Sequence, residues 1–549
     1  MTKNPVPTLV LIMFVLTTVL SGCASNSTAI TSEGDFRPLQ VSAPDCNYNG
    51  EIKSVEAVDQ YTVRFSLCQP DVAFPAKIAA PIFAIQDQGV LDSLKGDSTA
   101  MSESPIGTGA YQLKEWNRGG NIILEPSSSY WGVPPLSPTL DFKWQSDPTK
   151  LYGLTSMASV AGIDRPPSAI VPNMLINANL KVLTHTPSMN LYYLGFNNTI
   201  PPFDKLEVRK AFAIVLDREK LLRGAFPEGS ELAQQMVPSN VQSGRSIEQK
   251  WYESKPKDAE DILKSIGFDF GQEITLAVMN SQMQYLDSPA YVAGEVKKQL
   301  AQINVKITIK AMTPEEFTQS IKDGKEMLYF YWFQGDYEDG AAFFERPFIR
   351  ESGLLGNPYV EIQQKIKDVL SIYDPEARQE IFDQLNLMIK DQVPLVPLGH
   401  AANIIIFRRS VKNAATNAFY ENFEDMIGAN NTIQFVGVVE PGSLYPADED
   451  DYSIFRITRL LYDTLLTSGF GGVPTRPLLA ESWSSNADLT EWTFLLRYNV
   501  KFSNEATFDA NDVVATFAAI WDASNPNHKG RTSDFALYRR LFGNLLNAE

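Results

Sequence analysis

Three histidines and three cysteines could supply a nucleophile, a general base or metal ligands to this chain of 549 residues. His185 lies near a strand-like start, His400 follows another strand-like run, and His528 sits in a loop rich in Asn and Pro, so structural or solvated roles are expected for all three. The sequence has no Gly-x-Ser-x-Gly elbow, no His-Glu-x-x-His pair and no phosphate loop. We therefore predict no enzyme, no metal site and no cofactor, and keep a secreted hydrolase as an alternative.

Acidic residues outnumber basic ones by 65 to 47, which gives a formal net charge of -18. Nucleic-acid phosphates are bound mainly by Lys and Arg, so this balance excludes nucleic acid as an expected partner. The chain is 44% hydrophobic, enough for several cores, and its length predicts about two to four domains.

The amino end resembles an export signal. Lys3 precedes an apolar run at 9–20, which is shorter than the roughly 20 residues that a membrane-spanning helix needs. The run ends in Leu-Ser-Gly-Cys at 20–23, which is similar to the bacterial lipobox and implies that Cys23 is lipidated. We expect a signal peptide at 1–22, a tether at 23–38, and a protein that is exported and lipid-anchored to the outer face of the cell membrane, whether periplasmic or at the cell surface. A plain secretory signal with a chance cysteine is the alternative.

Export exposes the remaining two cysteines, Cys46 and Cys68, to an oxidising compartment where they can pair. Cys68 ends a strand-like alternation at 61–67, so a disulfide would fix the amino-terminal segment to that strand. Two free buried thiols are the alternative.

Strand-like and helix-like patterns alternate along the body of the chain. Runs at 274–278 and 305–309 flank a helical pattern at 293–303, an order that predicts an α/β fold. A second helix is expected to begin after Asp374, with Ile381, Leu385 and Met388 as its core residues; these follow the cap at helical spacing.

Short stretches across the chain resemble the peptide- and nickel-type solute-binding proteins (family 5) of ABC importers. They are PIGTGAY at 105–111, SYWG at 129–132, LGFN at 194–197, PPFD at 201–204, VRKAF at 208–212, LDR at 216–218 and PLVPL at 394–398. Any one of these fragments could equally reflect simple packing. The region from Arg209 through Arg218 is predicted as one amphipathic helix.

Other stretches resemble the amino-terminal region of that family but lie at the carboxyl end, at 441–447, 479–483, 491–497, 500–502 and 510–513. We interpret this order as a circular permutation in which 413–431 is the joining segment; two incomplete tandem copies are the rival interpretation. The resemblance implies an α/β, two-lobed type II periplasmic-binding-protein fold with mixed sheets. Lobe I would be assembled from both chain ends, 39–191 and 396–549, and lobe II would be 192–395. Two hinge strands are expected near 190 and 397.

Relatives in this family hold the amino group of a peptide with an acidic residue in a tryptophan-rich turn, and the matching residue here is Asp336. The resemblance also suggests that neighbouring aromatic residues and one acidic segment contribute to ligand binding, namely Phe333, Trp332, Tyr337, Asp450 and Tyr452. An exposed acidic loop beside core aromatics is the alternative. The acidic run at 448–451 lacks the oxygen spacing and the glycine of a calcium loop.

The family resemblance implies a monomeric lipoprotein that captures an oligopeptide or similar solute between its lobes. It would deliver that solute to ABC permease subunits and their ATPases. A surface receptor or sensor that does not transport is the remaining alternative.

Overall fold

The fold is described from a computed structural model. It covers residues 36–548 except 155–156, 158, 186–187, 242, 247–250, 287, 417–419, 469–474 and 529–534. Cys23 and the predicted signal peptide lie outside the described residues. Within these ranges, no helix combines the length and the apolar character needed to cross a membrane.

The strands alternate with helices along much of the chain. In chain order the strands are β1 Gln40–Ser42, β2 Ile52–Asp59, β3 Thr62–Leu67, β4 Tyr111–Asn117, β5 Asn121–Pro126, β6 Thr139–Trp144, β7 Gly162–Asp164, β8 Leu180–His185, β9 Asn190–Phe196, β10 Glu231–Leu232, β11 Ile274–Met279, β12 Ile307–Met312, β13 Leu328–Gln334, β14 Leu395–His400, β15 Asn403–Arg408, β16 Thr432–Gly437, β17 Leu466–Thr467, β18 Arg476–Pro477, β19 Ala480–Ser485 and β20 Glu491–Leu496.

The helices are mostly short, and Pro or a capping side chain begins many of them. They are α1 Phe74–Ile78, α2 Gln88–Leu94, α3 Ser98–Glu103, α4 Pro148–Leu154, α5 Val171–Leu175, α6 Leu206–Val215, α7 Arg218–Ala225, α8 Pro256–Ser265, α9 Pro289–Ala301, α10 Pro314–Lys322, α11 Ala342–Glu345, α12 Val360–Leu370, α13 Pro375–Gln392, α14 Tyr452–Leu461, α15 Ala510–Trp521 and α16 Ala536–Phe542. A π-helical turn, Arg346–Arg350, directly follows α11.

Two sheets combine strands from both ends of the chain, and we call the body that they form lobe I. The five-strand sheet has the order β1-β2-β3-β20-β19, and the seven-strand sheet has the order β4-β5-β6-β16-β7-β15-β8. In the first sheet β3 pairs antiparallel with β20, so that Phe65 lies opposite Trp492. In the second sheet β16 pairs parallel with both β6 and β7. Neither sheet is complete without strands from both ends.

The six-strand sheet uses only strands between residues 190 and 400, and we call its body lobe II. Its order is β10-β14-β9-β13-β11-β12, with the parallel pairs β13-β11 and β11-β12 beside antiparallel ones. Strands β9 and β14 are buried along their whole length, so both faces of this sheet are covered. The mixed α/β fold class predicted from the sequence is confirmed.

Two neighbouring chain crossings connect the lobes. Strand β8 of lobe I leads to β9 of lobe II, and β14 leads back to β15, while β8 pairs with β15 and β9 pairs with β14. The buried amide of Asn190 donates to Ala401 O at 2.9 Å and accepts from Ala401 N at 2.7 Å. These paired bonds tie the two crossings together at the predicted hinge.

The predicted disulfide is confirmed, with the Cα atoms of Cys46 and Cys68 5.6 Å apart. The single helix predicted from Arg209 through Arg218 is wrong. Helix α6 ends at Val215, and Asp217 caps α7 by accepting from Lys220 N. A local capping bond therefore interrupts the apolar periodicity that suggested one helix.

Helix α13 begins as predicted, because Asp374 accepts a hydrogen bond from Ala377 N and Pro375 occupies the first turn. Its buried face differs by one position from the prediction. Leu385 is buried, but Phe382 and Ile389 complete the buried stripe, while Ile381 and Met388 are only half-buried.

Candidate functional site

The two lobes face each other where β13 of lobe II ends, and we call this boundary the lobe seam. The last residue of β13, Gln334, pairs with Asn190 at the hinge, so the chain after β13 emerges beside the crossings. Asp336 follows two residues later. The Tyr452 hydroxyl, at the start of α14 in lobe I, donates to the Asp336 carbonyl oxygen at 2.9 Å.

The Asp336 carboxylate lies between arginines from both lobes. Arg540 on α16 approaches it to 3.2 Å, and Arg346 in the π-helical turn approaches it to 3.5 Å. Burial opposes the charge on Arg540, but neighbouring acidic groups, first the Asp336 carboxylate and then that of Asp450, together outweigh burial and raise the pKa of the guanidinium. Arg540 also reaches Asp450 at 3.2 Å. Three of the predicted site residues, Asp336, Asp450 and Tyr452, therefore meet at one place.

The predicted aromatic residues separate, because successive side chains of a strand point to opposite faces. Trp332 stacks on Tyr192 at 5.8 Å against the lobe II core. Phe333 is buried on the other face, with the Arg346 guanidinium 5.6 Å from its ring centre. Phe333 is thus the aromatic beneath the Asp336 ion pairs.

A second ionic group at the seam, the Lys77 cluster, consists of Lys77, Glu51 and Asp71 from lobe I with Glu345 and Arg350 from lobe II. The fully buried Lys77 ammonium lies 2.8 Å from Asp71, 3.3 Å from Glu51 and 3.2 Å from Glu345. Arg350 pairs with Glu51 and lies 3.4 Å from Glu345. Burial raises the pKa of Asp71 to about 6, although Lys77 opposes this.

The predicted site residue Tyr337 belongs to this cluster, because its hydroxyl donates to Glu345. Sequence reasoning missed the cluster itself, because its members lie up to 299 residues apart. The one available signal was Lys77, a charged residue within the otherwise apolar helix α1.

The PIGTGAY stretch has a packing role. Thr108 and Trp131 both donate to the buried Asp463 carboxylate, at 3.0 and 2.9 Å. A Cβ on Gly107 would lie 2.2 Å from Leu461 O, and a Cβ on Gly109 would lie 2.4 Å from Leu460 O. Both positions therefore need glycine for the close approach to the end of α14.

A cavity of about 230 Å³ also lies on the seam. Arg165, Pro166 and Ala402 line it from the lobe I side and the hinge, and Met283 and Tyr285 line it from lobe II. We call it the Arg165 cavity. Sequence reasoning did not single out any of these residues.

Comparison with known proteins gives the class of protein. The family model for bacterial extracellular solute-binding proteins, family 5, matches residues 22–351 and 475–538. The dipeptide-binding protein of Escherichia coli (strain K12) is 24% identical over 368 residues, which is 66% of this chain and 68% of the relative.

Solved structures with the same fold include HbpA2 from Haemophilus parasuis, with a TM-score of 0.62 and 21% identity, covering 69% of this chain and 76% of that one. A dipeptide-binding protein from Pseudoalteromonas sp. SM9913, in complex with Met-Leu, has a TM-score of 0.60 and 20% identity with the same coverage. The chain belongs to the family 5 bacterial extracellular solute-binding proteins. The two-lobed type II periplasmic-binding-protein fold expected from the sequence is confirmed.

Proposed function

We propose that this protein captures an oligopeptide or similar solute between its two lobes and delivers it to the membrane permease of an ABC importer. One observation carries the proposal: the Asp336 carboxylate of lobe II meets Arg540, Asp450 and Tyr452 of lobe I across the seam. Family membership and relatives named for dipeptide binding give further support. The cleft binds its solute without catalysing a reaction.

In this proposal Asp336 receives the ammonium group of the ligand. Arg346 belongs to the same lobe and remains beside Asp336 when the lobes separate, whereas Arg540 moves away with lobe I. The carboxylate is then available to a cationic group, with which it makes a charge-assisted hydrogen bond. Closure around the ligand removes that bond from water and strengthens it.

The first test is native mass spectrometry of protein purified without refolding, followed by thermal shift with a peptide library. We expect peptides with a free amino end to raise the melting temperature. Stabilisation by oligosaccharides with none by peptides would overturn the choice of solute.

Replacement of Asp336 by Asn tests the site itself. Asp336→Asn should weaken binding of free-amine peptides about tenfold or more, because a charge-assisted bond contributes more than the 1.4 kcal/mol that this factor represents. N-acetylated peptides should change little. Asp323→Asn, on the surface of lobe II, is the matched control. An equal loss for both peptide types would remove the role of Asp336.

We further propose that Cys23 carries the lipid anchor and that the soluble body is a monomer. Lobe boundaries at 39–191, 192–395 and 396–549 belong to the same proposal, as does the circular permutation. The pairing of β3 with β20 and of β6 with β16 supports an origin in which both chain ends belonged to one continuous lobe. The mass of the mature amino terminus, compared with that of Cys23→Ser, tests the anchor.

A further inference from the structure

The Lys77 cluster joins the two lobes at a place apart from the proposed solute site. From lobe II, the Glu345 carboxylate lies 3.2 Å from the Lys77 ammonium, and Arg350 pairs with Glu51 of lobe I. Arg350 also donates to Leu541 O of lobe I at 3.0 Å. All of these bonds join protein groups directly, so they can form whether or not a solute is bound.

A backbone hydrogen bond crosses the seam beside the cluster. Val72 N of lobe I donates to Leu370 O at 2.8 Å, and Leu370 is the last residue of α12 in lobe II. Val72 directly follows Asp71, whose carboxylate lies 2.8 Å from the Lys77 ammonium. Separation of the lobes must therefore break this backbone bond together with the cross-seam pairs of the cluster.

Each half of the cluster keeps a partner when the lobes separate. In lobe I, Lys77 retains Asp71 at 2.8 Å and Glu51 at 3.3 Å. In lobe II, Arg350 retains Glu345 at 3.4 Å. A buried pair that loses one partner leaves an unpaired charge at a high cost, but here each lobe keeps both signs of charge. The cluster can therefore open and close without unfolding either lobe.

A cavity of about 210 Å³ lies against the cluster, between the lobes. Glu51 and Asp71 line it from lobe I, and Gln364 and Lys367 on α12 line it from lobe II. Both α12 side chains are exposed, so water reaches this cavity. The carboxylates of the cluster can therefore be hydrated as the seam loosens, which lowers the cost of breaking the cross-seam pairs.

Helix α16 connects the cluster to the proposed solute site. Arg540 on this helix pairs with Asp336, and the next residue, Leu541, accepts from Arg350. On the lobe II side, Asp336 and Arg350 belong to one continuous stretch, 336–350. The same two segments thus face each other at both places, so release of the cluster accompanies exposure of the Asp336 carboxylate.

We propose that the Lys77 cluster is a latch that holds the lobes closed in the absence of solute and must release before the cleft admits one. Because a solute enters only the open form, the latch lowers the fraction of molecules that are ready to bind. The same bonds form again around an enclosed solute. The latch therefore slows entry and release by a similar factor and leaves the affinity almost unchanged. Its action does not depend on which solute the protein takes.

Hydrogen exchange at two backbone amides tests the latch on protein from which solute has been removed by dialysis. The Val72 amide, whose acceptor lies in lobe II, reports separation of the lobes. The Leu67 amide donates to Thr490 O at 2.8 Å within lobe I, so it reports unfolding of that lobe instead. Mass spectrometry with residue-level fragmentation follows both amides in wild type and in two variants.

Glu345→Gln weakens the latch from the lobe II side and keeps the shape of the side chain. Glu326→Gln is the matched control, because Glu326 is also a buried carboxylate of lobe II and pairs with Lys310, at 2.6 Å, on the edge strand β12. We expect Glu345→Gln to speed exchange of the Val72 amide about tenfold or more, because a cross-seam buried pair is lost. Exchange of the Leu67 amide should stay within about twofold of wild type. Glu326→Gln should not speed exchange at Val72.

Two results would overturn the latch: a Val72 amide that is unprotected in solute-free wild type, or one whose exchange Glu345→Gln leaves unchanged. Equal acceleration at Val72 and Leu67 would show that the cluster only supports the fold, and would also overturn it.

Stopped-flow mixing with a peptide that stabilises wild type adds an arm that rests on the proposed function. Association and dissociation should both be faster in Glu345→Gln, with the dissociation constant within about threefold of wild type. A change in only one of the two rates would place Glu345 at the solute and overturn the latch. If no peptide binds wild type, the peptide assignment of the proposed function fails, while hydrogen exchange still decides the latch.

Discussion

Arginines and one lysine determine the chemistry of the lobe seam at the scale of single residues. Arg540, Arg346 and Arg350 each contact carboxylates of the other lobe or of the seam itself, and Lys77 contacts three. Ion pairs of this kind cost desolvation, so their value depends on complete pairing. They therefore favour one closed geometry more than they add stability.

Removal of Arg540 should improve ligand binding. In the proposed site Arg540 competes with the ligand ammonium for Asp336, so Arg540→Gln should bind free-amine peptides about fivefold to tenfold tighter, as expected from losing a competing pair of about 1 kcal/mol. Titration calorimetry measures the change, with N-acetylated peptides as the control. Weaker binding of the free-amine peptides would mean that Arg540 contacts the ligand instead of competing with it.

Removal of Lys77 should destabilise the fold strongly. Lys77→Met leaves Glu51 and Glu345 with only Arg350 and removes the ammonium that pairs with Asp71. Breaking a buried pair in this way costs about 3 to 5 kcal/mol in the free energy of unfolding. Urea denaturation measures the loss. Lys114→Met, whose side chain is 56% exposed, should change stability by less than about 0.5 kcal/mol. A loss as small as that of the control would contradict the role of the cluster.

The same cluster predicts a pH dependence. The pKa of Asp71 is raised from 3.8 to about 6, so the folded state binds more protons than the unfolded state between those values. The Asp71 carboxyl therefore contributes most to the stability of the fold at low pH, and its contribution falls as pH rises from about 4 to 6. In Lys77→Met the fall should be larger and extend to higher pH, because no ammonium opposes the protonated carboxyl. A flat profile from pH 4 to 7 in that variant would exclude the effect.

At the scale of elements, the loop before β4 and the end of α14 form one unit that holds the amino-terminal and carboxyl-terminal parts of lobe I together. Gly109 N donates to Leu461 O at 3.1 Å, and Ser503 N donates to Gly107 O at 2.9 Å. The loop therefore contacts two separate segments of the carboxyl-terminal part.

A paired glycine experiment tests this unit. Gly107→Ala should lower the free energy of unfolding by about 1 to 3 kcal/mol, because the new Cβ meets a backbone oxygen that cannot move aside. Gly294→Ala, in the interior of α9 with no atom within 4 Å of the new Cβ, should raise stability by about 0.5 to 1 kcal/mol. Denaturant midpoints measure both, and a neutral Gly107→Ala would show that the loop can adjust.

Helices and strands were predicted well where a few adjacent residues specify them. The Asp374 cap and the alternation in β3 are properties of a few adjacent residues, and both are confirmed. The break after Val215 was missed because the apolar spacing continues past it and only the cap at Asp217 reveals it. Asp336, Asp450 and Tyr452 were predicted through family resemblance, but Arg540 was not. The pairing of Arg540 with Asp336 is set by tertiary folding, and no spacing in the sequence records an ion pair 204 residues apart.

At the scale of the whole molecule, the chain order differs from the spatial order. Glu51 N donates to Phe542 O at 2.9 Å, and Gly50 pairs with Gly543, so the first and last described segments are neighbours. The exposed turn Ala429–Asn431 lies far from them in sequence. Neighbouring termini and an exposed turn elsewhere are the conditions under which a chain tolerates circular permutation.

A circularly permuted variant tests whether the present chain order is required for folding. A variant that runs from 431 to 548, then through a flexible linker of about ten Gly and Ser residues into 39–430, should fold with a melting temperature within a few degrees of wild type. It should also keep the same peptide affinity. A chain opened instead between 193 and 194, inside the buried strand β9, should not fold. Failure of the first variant would show that the present order is required.

Both lobe I sheets depend on strands near the carboxyl end of the chain, which are synthesised last, and this has a consequence during synthesis and export. The lobe II sheet uses no described strand beyond residue 400, but β3, at 62–67, has no partner on one side until β20 emerges at 491–496. A nascent chain would therefore carry one finished body beside open strand edges, and such edges recruit other chains. Chaperone protection until β20 has emerged should therefore matter for the folding of this protein.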